Sequence, residues 1–485
     1  MRKAGVLLHI SSLPTDFGVG SMGKDAYKFV DFLAEGGNKV WQILPVGPTS
    51  YGDSPYQALS AFAFSPYFID LDMLVEEGLL MPEELPQRFD ARKVNYEELF
   101  NTRMNVLLKT FDRREKYQAE FEKFCAEEDY WLDNYAIYSV LKKEHSYKPW
   151  VEWYDDFKYR RPASIVWVRN EFNYKIQQVK FVQFLAFKQY MALKKYANSK
   201  GIEIMGDMPI YCAYDSSDVW AEPTNFKLDE NLNPTFVAGC PPDGFSPDGQ
   251  LWGNPLYNWD KMREDKFSWW VNRINHSKKL FDIVRIDHFR GFEAYYAIPF
   301  GDTTARNGHW EKGPDYALFE VIKAKCKGAK IVAENLGFLT QEVNDLMDKC
   351  GYPGMKIFQF ELGGGDVVPL KEKYDKNNIF YTGTHDNMTL MSYYNTLNDR
   401  DKKIIDDLCK IGFYDKPNLK IIEFAMKTNC DYCIIPLQDY LGLSDEDRMN
   451  IPSTSGCNWQ YISRRRDYTP ELKEFMAKVI KESKR

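Results

Sequence analysis

The sequence predicts an α/β fold: a closed (β/α)8 TIM barrel with helical and loop insertions between its strands. Short apolar runs suitable for buried parallel strands recur eight times between helical stretches, which is the alternation expected of βαβ units. Several of these runs end in an acidic residue, and barrel enzymes carry their functional side chains at the carboxyl ends of the strands. The eight runs cover residues 4–10, 39–45, 202–210, 282–289, 330–336, 355–362, 379–386 and 432–439.

The chain of 485 residues is interpreted as one catalytic barrel domain, 1–485, enlarged by two insertions. A charge-rich insertion at approximately 70–200 is predicted to be helical, because the stretch from Tyr174 to Asn198 carries apolar residues at helical spacing. A second insertion, 211–281, is rich in Pro, Gly and Trp. That composition predicts an ordered, loop-rich segment over the active site.

The charge balance argues against polyanionic partners. A formal net charge of -7 gives no electrostatic reason to bind nucleic acid or an anionic membrane, so a neutral substrate is expected. The apolar run before Ser11 is too short for a secretory signal, and no run approaches the roughly 18 apolar residues of a membrane span. Nine scattered cysteines suggest reduced thiols. We therefore expect a cytoplasmic protein.

Four of the apolar runs close with an acid: Asp207, Asp287, Glu334 and Asp386. Any one of them could simply cap the helix that follows its strand. Four acids at the same end of a barrel, two of them flanked by histidine, favour a catalytic cluster instead.

The surroundings of these acids suggest different roles. Arg285 precedes Asp287 by two positions, so both side chains share one face of the strand, and we expect the guanidinium to keep Asp287 ionised as a nucleophile. Glu334 follows the apolar residues 331–333, which are expected to raise its pKa and make it a proton donor. Asp386 would bind sugar hydroxyls and favour an oxocarbenium-like state. This set predicts retaining glycosyl transfer.

The acids lie in motifs that follow one another along nearly the whole chain. These motifs are HISSLPTDFGVGSMG, VWQILPVGPTSYGDSPYQALSAFAFSPYFIDL, GDMPIYCAYDSSDVW, RIDHFRGFEAYYAIP, AENLG, GYPGMKIFQF, YTGTHDN and PLQDYLGLSDEDRMN. The ordered set resembles glycoside hydrolase family 77, the amylomaltases or 4-α-glucanotransferases of the α-amylase clan. The resemblance implies action on maltooligosaccharides and α-1,4-glucans, with no metal and no organic cofactor.

The resemblance also implies roles for individual residues. The nucleophile would be Asp287 in RIDHF, the acid/base Glu334 in AENLG, and the third carboxylate Asp386 in THDN. The substrate-binding residues that it implies are Arg285, His288, His385, Asp207, Ser54, Tyr56, Gln250, Trp252 and Asn450. In addition, Phe245 lies in a Pro- and Gly-rich loop and is predicted to stack on an acceptor sugar, and Tyr51 resembles a surface glucan-binding tyrosine of the family.

Three positions depart from the family pattern. The run Gly363–Gly365 replaces an Ala-Phe-Asp-like segment, which places an outer subsite in question. The segment IPSTSG after Asn450 replaces the usual Pro-Gly, so a loop over the cleft is expected to differ in shape, and Asn335 stands where Asp is common. None of the three touches the carboxylates.

Two other functions fit parts of this pattern. One is an α-glucan hydrolase, in which water takes the glucosyl group; longer chains formed from maltotriose would distinguish transfer from hydrolysis. The other is a non-catalytic glucan-binding barrel that has lost its acids. The presence of Asp287, Glu334 and Asp386 argues against the second reading.

Overall fold

The computed structural model describes residues 2–50, 52–242, 246–337, 339–360, 376–412, 416–454 and 456–485. Over these residues the strands are β1 (Lys3–Leu7), β2 (Val40–Gln42), β3 (Glu203–Met208), β4 (Phe236–Cys240), β5 (Gln250–Pro255), β6 (Ile283–Ile286), β7 (Ala294–Pro299), β8 (His309–Lys312), β9 (Ile331–Ala333), β10 (Gly354–Ile357), β11 (Asn378–Tyr381) and β12 (Tyr432–Pro436).

The same residues form α1 (Lys24–Glu35), α2 (Leu71–Glu76), α3 (Tyr96–Leu108), α4 (Gln118–Glu127), α5 (Asp129–Glu144), α6 (Asp155–Lys158), α7 (Pro162–Glu171), α8 (Asn173–Ser199), α9 (Ser217–Ala221), α10 (Trp259–Glu264), α11 (Ser268–Leu280), α12 (Tyr316–Lys325), α13 (Gln341–Cys350), α14 (Leu390–Thr396), α15 (Asp399–Cys409), α16 (Pro417–Met426), α17 (Leu437–Leu441) and α18 (Pro470–Ser483). None of the helices in the described ranges is long and apolar enough to cross a membrane.

A parallel eight-stranded sheet forms the barrel wall, in the order β10-β11-β12-β1-β2-β3-β6-β9. Each predicted apolar run overlaps one of these strands, so the predicted (β/α)8 class is confirmed. Some strands are shorter than predicted: β2 ends at Gln42, and two residues later Leu44 N donates to His9 Nδ1, at 3.2 Å, instead of to a neighbouring strand. The run predicted at 355–362 ends as a strand at Ile357 and continues as a 3-10 turn, Phe358–Phe360.

The wall closes between β9 and β10. In the described part of the chain, one main-chain hydrogen bond joins these two strands, from Ala333 N to Pro353 O at 2.9 Å. The side chain of Asn335 adds a second link, because its Oδ1 accepts from Met355 N at 2.6 Å. A Cβ on Gly354 would lie 2.8 Å from the Asn335 amide, so glycine permits this close approach. The departure at Asn335 therefore has a structural role in closing the barrel.

Large buried side chains pack on both faces of the barrel wall. Inside the barrel, Tyr381 donates its hydroxyl hydrogen to Gln42 Oε1 at 2.9 Å. Trp41, the neighbour of Gln42 on β2, faces outwards and packs on Phe29 of α1, with ring centroids 5.1 Å apart. A Cβ on Gly206 would lie 2.2 Å from the ring of Phe281, so the wall is tightly packed beside the site. The functional groups consequently have to lie at the barrel mouth.

The two predicted insertions differ in content. The helical stretch predicted from Tyr174 to Asn198 is α8, which ends shortly before Gly201, whose φ is +76°. The insertion at 211–281 contains more regular structure than the predicted loops, since it includes α9, α10, α11, β4 and β5. Strands β4 and β5 join β7 and β8 in an antiparallel sheet of order β5-β4-β7-β8. This sheet carries part of the site described next.

Candidate active site

The ends of β3, β6 and β9 bring three acids together. Asp207 lies within β3, Asp287 directly follows β6 and Glu334 directly follows β9. Main-chain bonds continue past the strand ends, because Asp287 N donates to Met208 O at 3.0 Å and Glu334 N to Ile286 O at 2.9 Å. The barrel wall itself therefore sets the positions of Asp287 and Glu334.

Arg285 lies at the centre of the cluster. Its Nη1 donates to Asp207 Oδ1 at 2.6 Å and to Asp287 Oδ1 at 3.1 Å. Its Nη2 donates to Glu334 Oε2 at 2.9 Å. Arg285 and Asp287 share a face of the strand, as the spacing of two predicted. One buried cation thus faces three carboxyl groups, and the pocket is set up to favour positive charge in a bound molecule.

The protonation pattern differs from the sequence-based expectation. Burial raises the pKa of Asp287 well above its usual value, and the neighbouring Glu334 adds to the shift despite Arg285. Burial alone would also raise the pKa of Glu334, but Arg285, Asp287 and the His288 N–H outweigh it and lower the pKa below its usual value. The two acids compete for one guanidinium and share one proton in the substrate-free site, so the ionised Asp287 and protonated Glu334 of the reacting enzyme stay a prediction.

His288 is held in a left-handed backbone conformation, with φ +44°, which is uncommon for a non-glycine residue. This turn aims its N–H at Glu334 Oε2, 3.0 Å away. Removal of the ring from water is the main reason that its pKa falls to about 4. The imidazole is therefore neutral near pH 7 and can exchange hydrogen bonds with sugar hydroxyls.

Tyr56 connects this cluster to the other side of the barrel mouth. Its hydroxyl donates to Asp207 Oδ2 at 2.9 Å. Its ring stacks on His385, with centroids 5.1 Å apart and an interplanar angle of 15°. Ser54 supports the turn before it, since Ser54 Oγ accepts from Tyr56 N at 3.3 Å. The structure thus brings these predicted residues together, with Ser54 shaping the loop.

Asp386 lies at the mouth and is more exposed than the other acids. Its side chain is 47% exposed, against 23% for Asp287 and 18% for Glu334. Its Oδ1 accepts from Asn450 Nδ2 at 2.6 Å and lies 3.3 Å from His385 Nε2. The predicted third carboxylate is therefore linked to the buried acids through His385 and the stacked tyrosine, and it remains open to a ligand.

Gln250 and Trp252 form a second side of the cleft. They lie two positions apart on β5, and Trp252 Nε1 donates to Gln250 Oε1 at 3.0 Å. The indole meets the His288 ring edge to face, with centroids 4.8 Å apart. Both predicted residues therefore adjoin the acid cluster. The predictions for Phe245, Tyr51 and Gly363–Gly365 lie outside the described residues.

Sequence reasoning missed three polar residues that shape the cleft. Gln57 Nε2 donates to Trp252 O at 3.1 Å and to Asn254 Oδ1 at 2.9 Å. Arg448 Nη2 donates to the main-chain oxygen of Asp386. Gln57 and Arg448 lie inside the motifs quoted above and Asn254 lies two positions after Trp252, so nearness to a predicted residue was the available signal.

The acids are arranged around a cation supplied by the chain. Among the described residues, no group of three or more His, Cys, Asp or Glu side chains is placed to hold a metal ion. Asp207, Asp287 and Glu334 instead share Arg285. The arrangement can hold a proton between two carboxyl groups and stabilise a developing cation nearby.

Comparison with known proteins gives consistent matches over the full chain. The family profile described as 4-alpha-glucanotransferase matches residues 8–466. The 4-alpha-glucanotransferase of Clostridium butyricum is 45% identical over 472 residues, which cover 96% of this chain and 97% of that protein. The 4-alpha-glucanotransferase of Streptococcus pneumoniae is 43% identical over 481 residues, 98% of this chain and 95% of that protein. The amylomaltase from Streptococcus agalactiae, solved in complex with acarbose, has a TM-score of 0.97 and 38% identity, and each chain is covered completely.

Proposed function

Because the chain belongs to the 4-alpha-glucanotransferase family, glycoside hydrolase family 77, and is an enzyme of that class, we propose that it transfers α-1,4-glucan segments between maltooligosaccharides by a retaining double displacement. The observation that carries this mechanism is that Asp287 and Glu334 bind one buried guanidinium, that of Arg285. The two carboxyl groups lie within hydrogen-bonding reach of each other. Such close acids suit the retaining geometry, in which about 5 to 5.5 Å separates them, rather than the inverting one.

In the first step, a carboxylate oxygen of Asp287 attacks the anomeric carbon of the donor. The bond from that carbon to the glycosidic oxygen breaks, and Glu334 gives its proton to the leaving oxygen. The product is a glycosyl ester on Asp287. In the second step, Glu334 takes the proton from an acceptor hydroxyl, whose oxygen attacks the same carbon and releases the Asp287 carboxylate.

The proton has to move before the first step. In the substrate-free site, burial and the neighbouring carboxyl group raise the pKa of Asp287, while that of Glu334 is low. We propose that the glycosidic oxygen, on entering beside Glu334, accepts its hydrogen bond and stabilises the protonated form. Because the two carboxyl groups are in hydrogen-bonding reach, the proton can pass directly from Asp287 to Glu334.

The remaining predicted residues would bind and stabilise the reacting sugar. Arg285 balances only part of the charge of Asp207, Asp287 and Glu334. The uncompensated negative charge would stabilise the oxocarbenium-like state, together with Asp386 at the mouth. The neutral imidazole of His288 would bind sugar hydroxyls, as would the side chains of His385 and Asn450.

Maltooligosaccharides are the proposed donors and acceptors. The Streptococcus agalactiae amylomaltase was solved with acarbose, and its complete overlap with this chain supports an oligosaccharide cleft in the same place. We also propose that the enzyme works in the cytosol. The buried cysteines of the described structure are free thiols, among them Cys212, Cys430 and Cys433, in keeping with a reducing compartment.

Trapping the intermediate tests the assignment. Glu334→Gln should still react slowly with an α-glucosyl fluoride, because fluoride needs little acid assistance to leave, and mass spectrometry should find the ester on Asp287. Asp287→Asn should lose nearly all transfer from maltotriose. Glu320→Gln, an exposed acid on α12, is the matched control and should retain full activity. An ester on Glu334 or Asp386 would reverse the roles.

A further inference from the structure

Asp386 lies on a loop, and contacts from a second loop fix its position. Strand β11 ends at Tyr381, so no ladder bond of the barrel reaches Asp386. We call residues 382–389 the β11 loop and residues 442–450, which follow α17, the β12 loop. The β11 loop is turned locally by Thr384 N, which donates to Asn387 Oδ1 at 2.8 Å. This turn alone does not aim the Asp386 carboxylate at the cleft.

Arg448 joins the two loops with three donors. Its Nη2 donates to the main-chain oxygen of Asp386. Its Nε donates to Asn450 O at 2.8 Å, and its Nη1 lies 3.5 Å from Asp445 Oδ2. The side chain is only 14% exposed, so water competes weakly for these bonds. The guanidinium therefore links the main chain at Asp386 to that at Asn450.

The same two loops meet at both ends of the segment that carries the acid. Asn450 donates from its main-chain N to His385 O at 3.1 Å and from Nδ2 to the Asp386 carboxylate at 2.6 Å. At the far end, Asp445 Oδ1 accepts from Thr389 N at 2.7 Å. Arg448 lies between these attachments and bonds to both Asp445 and Asn450. Its removal would loosen the whole contact.

We propose that Arg448 is a positioning residue for the transfer reaction and that it acts through Asp386. It fixes the main chain of Asp386 relative to that of Asn450, so that the Asp386 carboxylate keeps its distance from the reacting sugar. Arginine suits this task because its planar fork donates in several fixed directions, whereas lysine is a single point charge. The inference rests on the proposed function, in which Asp386 stabilises the oxocarbenium-like state.

A double-mutant cycle tests the coupling. Arg448→Met and Arg448→Lys are made in the natural chain and in Asp386→Asn, and kcat and KM are measured with an α-glucosyl fluoride donor. A misplacement of about 1 Å can cost on the order of 100-fold. We therefore expect Arg448→Met to lower kcat by about 30- to 100-fold with KM changed less than about 3-fold. The kcat of Arg448→Lys should exceed that of Arg448→Met by less than about tenfold.

In the Asp386→Asn background, Arg448→Met should lower kcat by less than about 3-fold, because the group it positions is already altered. The inference would be overturned if Arg448→Met lowered kcat by the same factor in both backgrounds, or if it left kcat unchanged in the natural background. An unchanged kcat for Asp386→Asn alone would instead overturn the proposed role of Asp386. These two failures are therefore distinguishable.

A milder variant and a matched control separate positioning from folding. Asp445→Asn removes the charge of one partner of Arg448 but keeps a side chain of the same size. We expect a smaller loss of kcat than in Arg448→Met, and no further loss when the change is made in Asp386→Asn. Arg113 also binds a main-chain oxygen and a carboxylate, Leu79 O at 3.1 Å and Glu84 Oε2 at 2.8 Å. Arg113→Met should leave kcat unchanged. A loss of kcat in Asp445→Asn that persists in Asp386→Asn would count against the inference.

Discussion

The phenolic hydroxyl of Tyr56 donates a hydrogen bond to Asp207, with Oη 2.9 Å from Oδ2. The same Asp207 carboxylate, 3% exposed, accepts from Arg285. Tyr56 therefore helps to fix the cation that both proposed catalytic acids share, while its ring contacts His385. One side chain thus connects the buried acids to the exposed one at the mouth.

Tyr56→Phe should keep the ring on His385 and lose the bond to Asp207. A hydrogen bond to a charged group is worth about 1.5–3 kcal/mol, so we expect kcat/KM for maltotriose to fall about 10- to 150-fold. Tyr56→Ala should fall further because the stacking is lost as well. Tyr352 is the control, because its buried hydroxyl has no hydrogen-bond partner in the described structure. Equal activity of Tyr56→Phe and Tyr352→Phe would show that the bond is dispensable.

Arg285→Lys should keep the charge and lose the fork that reaches three carboxyl groups. Breaking a buried ion-pair network typically costs about 3–5 kcal/mol, so we expect a lower urea midpoint and a loss of kcat of at least about 100-fold. Arg306, which forms an exposed pair with Asp248 at 2.7 Å, is the matched control. Arg306→Lys should change neither quantity measurably. Retained activity in Arg285→Lys would mean that the charge alone is sufficient.

Trp252→Ala should reduce transfer more than hydrolysis. The indole borders the cleft beside His288, where a ring face can stack on an incoming acceptor and exclude solvent. Water is present at about 55 M, so a dilute acceptor competes only through binding and orientation. The measurement is glucose release and chain lengthening from maltotriose, followed side by side with reducing-end production. Trp167→Ala, at an exposed tryptophan of α7, controls for loss of an indole. Equal reduction of transfer and hydrolysis would contradict an acceptor role.

Glu128 gives a prediction for stability against pH. Burial opposes its ionisation, but hydrogen bonds with His276, Lys279 and Trp131 prevail and lower its pKa from 4.5 to about 2. Because the folded pKa is the lower one, this stabilisation is complete above pH 4.5 and is lost as the pH falls towards 2.

The shift corresponds to about 3 kcal/mol of unfolding free energy at neutral pH. Urea unfolding of Glu128→Gln should therefore show lower stability at pH 7 and a flatter decline between pH 5 and pH 3 than the natural chain. Glu127→Gln, at the exposed neighbour, should follow the natural profile. A Glu128→Gln profile parallel to that of the natural chain would refute the assignment.

Local pattern was enough to predict the barrel and the placement of its acids. The eight apolar runs, each of which overlaps a strand, are visible in the local sequence, and the shared face of Arg285 and Asp287 follows from the pleat of the strand. Protonation was not predictable in this way. Glu334 receives its hydrogen bonds from residues 49 and 46 positions away, so its apolar sequence neighbours said little about its pKa.

The supporting contacts of the cleft were harder still to predict. Gln57 binds the main chain of Trp252 across 195 positions, and Arg448 reaches Asp386 across 62. No periodicity links such residues, because their proximity arises only when the barrel brings separate loops to one end. The insertion at 211–281 also forms strands that the Pro- and Gly-rich composition did not predict, since β4 pairs with β7 beyond the insertion and β5 adds to β4.

The closure of the wall between β9 and β10 bears on how the site can adjust its width. Thermal fluctuations separate a sheet most easily where the fewest main-chain bonds oppose them, and Ala333 N to Pro353 O is the one such bond described at this joint. Glu334 is the next residue along the chain, whereas Asp287 follows the more fully bonded pair β3–β6. Because β9 also pairs with β6, which leads into Asp287, an opening at this joint would widen the mouth on the β10 side while Glu334 and Asp287 keep their spacing.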